Sequence, residues 1–143
     1  MKSIKNYRKS ITGKIVLISG GAGFIGSHLI EECLKYKPRK IIVLDDLSVG
    51  RLSNIKKFLK KIKFIKKDCE NFQYLKNLFL KNKINFVFNL ATLALPFSVK
   101  FPRKTFETNV KITLNFLELL KDKKYQSLCH FSSSEVYGSA EYT

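Results

Sequence analysis

The sequence predicts an α/β fold, a doubly wound parallel sheet with helices on both faces that runs through about a fifth strand. Three observations lead there. Short apolar runs alternate with amphipathic segments throughout, those runs are apolar on both faces, and glycines cluster where the first run hands over to the first helix. Such alternation implies right-handed crossovers between parallel strands. No internal repeat or low-complexity linker divides the chain. Its 143 residues, 45% of them apolar, suit one domain with a packed core.

The elements follow in order. Residues 14–19 (KIVLIS) read as a buried strand. After the glycines, Phe24, Ile25, His28, Leu29, Glu32, Cys33 and Tyr36 recur at three- and four-residue steps, and Pro38 closes that helix. Residues 40–45 (KIIVLD) form a second strand, 51–60 a short helix, and 62–66 a third strand. Residues 71–81 form a helix with Phe72, Leu75, Leu78 and Phe79 on one side, and 85–90 a fourth strand. A long helix starting near Pro102 is expected to bury Phe106, Val110, Thr113, Leu117 and Leu120. Residues 127–132 supply the fifth strand.

Composition excludes several classes. Cys33, Cys69 and Cys129 are far apart, with no disulfide framework or metal-ligand spacing, and are expected to be small buried residues in a reducing compartment. The basic opening, residues 1–12, reads as a solvated extension ahead of a domain spanning 13–143. The apolar run after it is too short for a membrane span or a signal core, so a cytoplasmic protein is expected. The net charge of +16 suggests a polyanion partner, yet only four of the 27 basic residues are arginines and the lysines are scattered. Specific nucleic-acid binding is therefore disfavoured.

The glycines carry the clearest chemistry. Residues 21–26 are a G-x-G-x-x-G, and Gly20, Gly23 and Gly26 also give G-x-x-G-x-x-G. One glycine permits the turn, one lets the backbone approach a pyrophosphate, and the last lets helix and strand pack closely. The helix then offers unpaired N–H groups to phosphate. Asp45 stands at the end of the second strand, one helix and one strand beyond Gly26. An acid there can accept both ribose hydroxyls of adenosine and would repel a 2′-phosphate, so the pattern favours NAD over NADP.

Six stretches occur in a recognisable order: GGAGFIG, DDLSVGRLSNI, KKDCEN, FNLATLALP, FETNVKITLNFLELL and FSSSEVYGSAEY. Together, over about residues 14–143, they resemble the extended short-chain dehydrogenase/reductase family, specifically its nucleotide-sugar epimerases, 4,6-dehydratases and decarboxylases. The resemblance implies a Rossmann domain in which Phe24 and Ile25 sit over the pyrophosphate and Asp45, Asp46, Leu47, Ser48 and Gly50 line the adenosine ribose. It implies that Asp68 with Cys69 holds the adenine, that residues 90–94, with Leu90, Ala91 and Thr92 binding the cofactor, pass under the nicotinamide ribose, and that Asn109 braces the active-site loop. Simpler roles stay open: a helix cap for Asp68, core for residues 90–94, an ordinary polar helix position for Asn109. Asn89 stands where the family commonly has His, and Thr92 where it often has Ala.

By the same resemblance Ser133 hydrogen-bonds the reacting sugar oxygen. Glu135 occupies the position of the acid that dehydratases and decarboxylases carry. Dehydratases with an Asp-Glu pair would need Asp where this chain has Ser134. A loop serine and a solvated acid are the simpler readings of Ser133 and Glu135. Tyr137 matches a structural tyrosine. The family's catalytic tyrosine belongs to a Y-x-x-x-K well beyond the serine, and no such pair occurs between Ser133 and Thr143. The expectation is the N-terminal, NAD-binding part of a nucleotide-sugar-modifying enzyme, inactive and poorly soluble alone. Its substrate would be a UDP-, GDP- or dTDP-sugar, and family members are often homodimers. The alternatives are a non-catalytic dinucleotide-binding module acting with a partner chain, or a 4-epimerase fragment.

Overall fold

The computed structural model describes residues 11–138. The first ten residues of the expected basic extension lie outside them. Its last two belong to the packed body: Ile11 is buried among Val16, Ile30 and Ile41, and the Thr12 hydroxyl donates to the Tyr36 carbonyl at 2.9 Å.

Five strands form one sheet: β1 (Ile15–Ser19), β2 (Lys40–Asp45), β3 (Lys63–Lys66), β4 (Phe86–Asn89) and β5 (Ser127–His130). All pairings are parallel and the order is β3-β2-β1-β4-β5. The chain thus starts in the middle, winds outward to β3, and crosses back to β4 on the other side of β1. The expected doubly wound architecture is present.

Because side chains alternate across a strand, each central strand feeds two cores. Leu17, Ile42, Leu44 and Val87 face α3 (Phe72–Asn82) and α5 (Pro102–Lys121), meeting Leu75, Phe79, Phe116 and Leu119. Val16, Ile18, Ile41 and Val43 face α1 (Phe24–Lys35) and α2 (Leu52–Ile55), meeting Ile30, Cys33 and Ile55. Each fully buried Leu or Ile contributes about 1.5–3 kcal/mol relative to exposure. Two double-sided strands at the centre therefore explain why the apolar runs are continuous rather than alternating.

Four sequence expectations need correction. In α5 the buried positions are Thr105, Thr108, Ile112, Asn115, Phe116 and Leu119, whereas Phe106, Val110 and Leu117 are exposed. The helix carries a second apolar face, and hydrogen-bonded threonines and an asparagine line the inner one. In α1 the expected stripe contributes only Cys33 to the buried set; Gly26, Ser27 and Ile30 make up the rest, because small residues let this helix lie close to the sheet. A short helix, α4 (Leu95–Lys100), with Pro96 in its first turn, was not expected and buries no residue. Cys129 is exposed, while Cys33 and Cys69 are buried as expected.

The third segment is a 4-residue α2 continued by a 3-10 turn, Lys56–Phe58. Among the described residues no helix is long and apolar enough to cross a membrane.

Candidate functional site

Five of the six stretches that the sequence singles out follow the C-terminal end of a strand; the sixth, with Asn109, lies within α5. Residues 20–26 follow β1, 45–50 end and follow β2, 68–69 follow β3, 90–92 follow β4, and 133–135 follow β5. Parallel pairing brings these ends to one edge of the sheet, and the order reverses between β1 and β4. That is where open α/β sheets bind ligands.

The glycines divide the work at the β1–α1 turn. Gly20 has φ +68°, and a Cβ there would lie 2.7 Å from the Leu90 carbonyl carbon, so the turn needs glycine twice over. A Cβ on Gly26 would collide with the Gly20 carbonyl oxygen and stand 2.6 Å from the Gly21 Cα. Gly26 therefore sets the close approach of helix to strand. At Gly23 the only neighbour among the described residues would be the Gly20 oxygen, at 3.2 Å. The space before Gly23 is otherwise open, and this is the position from which a ligand can reach the backbone. Gly23 is also the N-cap of α1, with no side-chain cap and no acidic residue in the first turn. The helix's leading N–H groups and positive end stay available to an anion. Phe24 and Ile25, at 78% and 58% exposure, flank that opening.

Asp45 lies directly beneath this turn. It is buried, and its Oδ2 accepts from the Ala22 N–H and its Oδ1 from the Leu47 N–H, both at 2.9 Å. Burial pushes its carboxyl above the ordinary value, with the two amides pulling the other way and Asp46 adding to the rise. A carboxylate has about four lone-pair sites, so two remain for a ligand's hydroxyls. A Cβ on Gly50 would stand 2.8 Å from Asp45 Oδ1, which accounts for that glycine. Asp46, exposed, accepts from the Ser48 N–H at 2.9 Å and the Ser48 hydroxyl at 2.6 Å. Leu47 holds a left-handed φ of +64°, an uncommon conformation for a non-glycine residue.

A groove of about 830 Å³ runs beside these loops, lined by Asp46, Lys66, Lys67, Asp68, Phe72 and Lys111 among others. It joins two of the expected adenosine residues, Asp46 and Asp68. Asp68 does not cap α3: Asn71 does, accepting from the Tyr74 N–H, while Asp68 accepts from the Glu70 N–H at 2.8 Å. The Cys69 side chain packs in the core, where burial raises its thiol pKa, and Cys69 is not among the residues that line the groove. On the far side, the Asn109 side chain grips Leu93 twice, accepting from its N–H at 2.8 Å and donating to its carbonyl at 3.1 Å. Leu90 and Ala91 are half-buried against the cores and Thr92 is exposed. Ser133 is exposed and precedes a 3-10 turn, Ser134–Tyr137, that contains Glu135. Residues 139–142 of the last motif lie outside the described residues.

Several supports escaped the sequence reading. The Asn54 amide donates to the Ala22 carbonyl at 2.8 Å and the Arg51 N–H donates to the same oxygen at 3.0 Å, tying the glycine turn to α2. Asn115 donates to the carbonyls of Cys69 and Glu70, at 2.8 and 3.1 Å. The Glu70 carboxylate accepts from Thr108 at 2.9 Å and meets Lys104 and Lys111 at 3.3 and 3.5 Å. Only the helical spacing of 104, 108 and 111 hinted at this; their common partner sits in the loop after β3, distant in sequence.

A five-stranded doubly wound sheet with a glycine turn, an acid at the second strand end and a serine motif after the fifth strand defines an extended short-chain dehydrogenase/reductase domain. A family model described as GDP-mannose 4,6 dehydratase matches residues 17–143, and the chain belongs to that family. It is 41% identical over 129 residues to a dTDP-D-glucose 4,6-dehydratase of Dictyostelium discoideum, covering 87% of this chain and 30% of that protein. It is 38% identical over 138 residues to UDP-glucuronic acid decarboxylase 5 of Arabidopsis thaliana, covering 94% and 38%. Among solved structures, a dTDP-glucose 4,6-dehydratase from Bacillus anthracis in complex with NAD superposes with TM-score 0.77 at 32% identity, over 91% of this chain and 41% of that one. A UDP-glucose 4-epimerase from Stenotrophomonas maltophila with bound NAD gives TM-score 0.80 at 26% identity, over 90% and 40%. The chain thus spans about a third of the length of these curated relatives.

Proposed function

We propose that residues 13–143 are the NAD-binding part of a nucleotide-sugar-modifying enzyme of the 4,6-dehydratase or decarboxylase type, working in the cytoplasm. The observation that carries this reading is the pairing of an uncapped, open glycine turn with a buried carboxylate that still has acceptor capacity. The turn suits a pyrophosphate at Gly23, Phe24 and Ile25, and Asp45 suits the adenosine ribose hydroxyls. Asp46, Leu47, Ser48 and Gly50 shape the loop around that ribose, and Asp68 lines the groove that suits adenine. Leu90, Ala91 and Thr92, steadied through Asn109, form the floor on the opposite side.

NAD, when bound, supplies an acceptor for the two electrons removed from a sugar hydroxyl. Ser133 would orient the reacting hydroxyl by a hydrogen bond. Glu135 would take the proton beside the resulting ketone; that acid is what favours a dehydratase or decarboxylase over an epimerase, which needs no such base. The relatives' names support a nucleotide-linked sugar as substrate, of UDP, GDP or dTDP type. Self-association through the exposed face of α5 belongs to the same proposal.

Calorimetric titration tests it. NAD should bind more tightly than NADP, and Asp45→Ala should weaken NAD by about tenfold or more, the scale of losing two hydrogen bonds to a charged acceptor. The 143-residue chain by itself should turn over no nucleotide sugar. Unchanged NAD affinity in Asp45→Ala, or robust turnover, would overturn the reading.

A further inference from the structure

Three polar residues close the C-terminal ends of neighbouring strands, and their side chains meet across the sheet. Ser19 ends β1, Asn89 ends β4 and His130 ends β5, and the register pairs Ser19 with Asn89 and Asn89 with His130. The Ser19 hydroxyl donates to Asn89 Oδ1 at 2.6 Å, and Asn89 Nδ2 stands 3.1 Å from His130 Nδ1. Ser19 and Asn89 are fully buried, at 0% and 1% exposure.

The direction of these bonds has a consequence. With its oxygen committed to Ser19, the Asn89 amide can only donate toward His130. His130 Nδ1 must then carry a lone pair, and the ring proton sits on Nε2. At 2.6 Å the Ser19 contact has the length of an O–H···O bond and is short for N–H···O, which sets the amide oxygen rather than its nitrogen on Ser19; the other acceptor within reach of that hydroxyl, the Phe88 carbonyl, is 3.4 Å away. The residue after each of the three opens a loop of the site: Gly20, Leu90, and the stretch 131–133 that ends in Ser133. The backbone ladder runs one step further in the same direction. The Leu90 N–H donates to the Ser19 carbonyl at 3.1 Å and the Phe131 N–H to the Asn89 carbonyl at 3.0 Å. Among the described residues β5 pairs with β4 alone, and it has no buried residue of its own, so it contributes little to hold its own end.

We infer that Asn89 is a positioning residue that locks the end of edge strand β5 to β1 and β4 through His130, and so fixes residues 131–133 against the glycine turn and the loop after β4. The inference rests on reading those loops as one cofactor and substrate site, but the lock itself does not.

The test uses the full 143-residue chain and two readouts. Nitrogen NMR of the two histidines at mildly alkaline pH reports tautomers directly. His130 should be the Nε2–H form, whereas His28, whose Nδ1 donates to the Phe24 carbonyl at 2.9 Å, should be the Nδ1–H form and serves as the internal contrast. Asn89→Asp, which offers His130 an acceptor, should put a proton on His130 Nδ1 and leave His28 unchanged. Ser19→Ala should relax the preference and give mixed His130 signals. Asn89→Leu should lower hydrogen-exchange protection of the Phe131 amide by about tenfold and weaken NAD by about three- to tenfold.

An Nδ1–H tautomer at His130 in the unmodified chain would overturn the inference. So would unchanged Phe131 protection in a folded Asn89→Leu chain. Should the unmodified chain bind no NAD, the functional reading falls, while tautomer and protection still decide the lock; should NAD bind equally to the parent and to Asn89→Leu, the lock has no bearing on the site and the inference falls alone.

Discussion

The two halves of the sheet are built differently. On the β1–β2 side, Val16–Ser19 and Ile41–Asp45 are buried, and the glycine turn, Asp45, Gly50 and Asn54 close on one another. On the β4–β5 side, no residue of β5 or α4 is buried, and α5 turns Phe106, Val110, Leu114 and Leu117 outward. The first half buries its apolar surface internally. The second packs Val87, Ile112, Phe116 and Leu119 beneath the sheet, but its site-side ends are held by directed contacts: Asn109 to Leu93, Asn115 to the loop after β3, Glu70 of that loop to α5, and the rung from Ser19 to His130. The difference teaches that a cofactor-type site can be rigid on one side through packing and on the other through hydrogen bonds.

The largest effect should come from the packed half. Gly26→Val drives a branched side chain into the Gly20 carbonyl and the Gly21 backbone, and should cost about 3 kcal/mol or more, measured by urea unfolding. A loss below about 0.5 kcal/mol would mean the turn is not the tight element described. Next comes the hydrogen-bonded half. Asn115→Ala leaves the Cys69 and Glu70 carbonyls without their side-chain donor and should cost about 1–3 kcal/mol in the same assay.

A smaller effect follows from Glu70. Partial burial pulls its carboxyl up, but the Thr108 hydroxyl and the ammonium groups of Lys104 and Lys111 together hold it below the ordinary carboxylate value. A carboxyl lowered on folding contributes stability that is fully present above its unfolded value and is lost as pH falls through the lower, folded one. Glu70→Gln should therefore flatten the acid limb of the stability–pH curve and leave its slope at neutral pH alone. An unchanged acid limb would remove Glu70 from the account. The smallest effect on stability should be that of Leu114→Lys on the outer face of α5. It should change unfolding by no more than about 0.5 kcal/mol, yet reduce self-association in sedimentation if that face joins two copies.

How much of this was legible follows the same division. The glycine turn, the acid at 45 and the central strands were readable because each depends on neighbours close in sequence or on continuous apolar runs. The inner face of α5 was misread because periodicity selects the most apolar stripe, Phe106, Val110 and Leu117, while Thr108 and Asn115 are buried by virtue of partners at Glu70 and Cys69. α4 went unseen because a helix that buries nothing leaves no stripe to read. Asp68 is indistinguishable from a helix cap in the sequence because the residue that does cap α3, Asn71, stands only three positions further on.

The sequence by itself determined the alternating strands and helices, the place of the turn and the family, since local propensity, apolar period and motif order are properties of neighbouring residues. Only the tertiary structure decided that Asp45 braces the turn it serves, that Glu70 and Asn115 anchor the loop after β3 to α5, and that Ser19, Asn89 and His130 join three strand ends. Each of those contacts joins residues of different elements, far apart along the chain, and its direction is set by strand order and register, which no local pattern encodes.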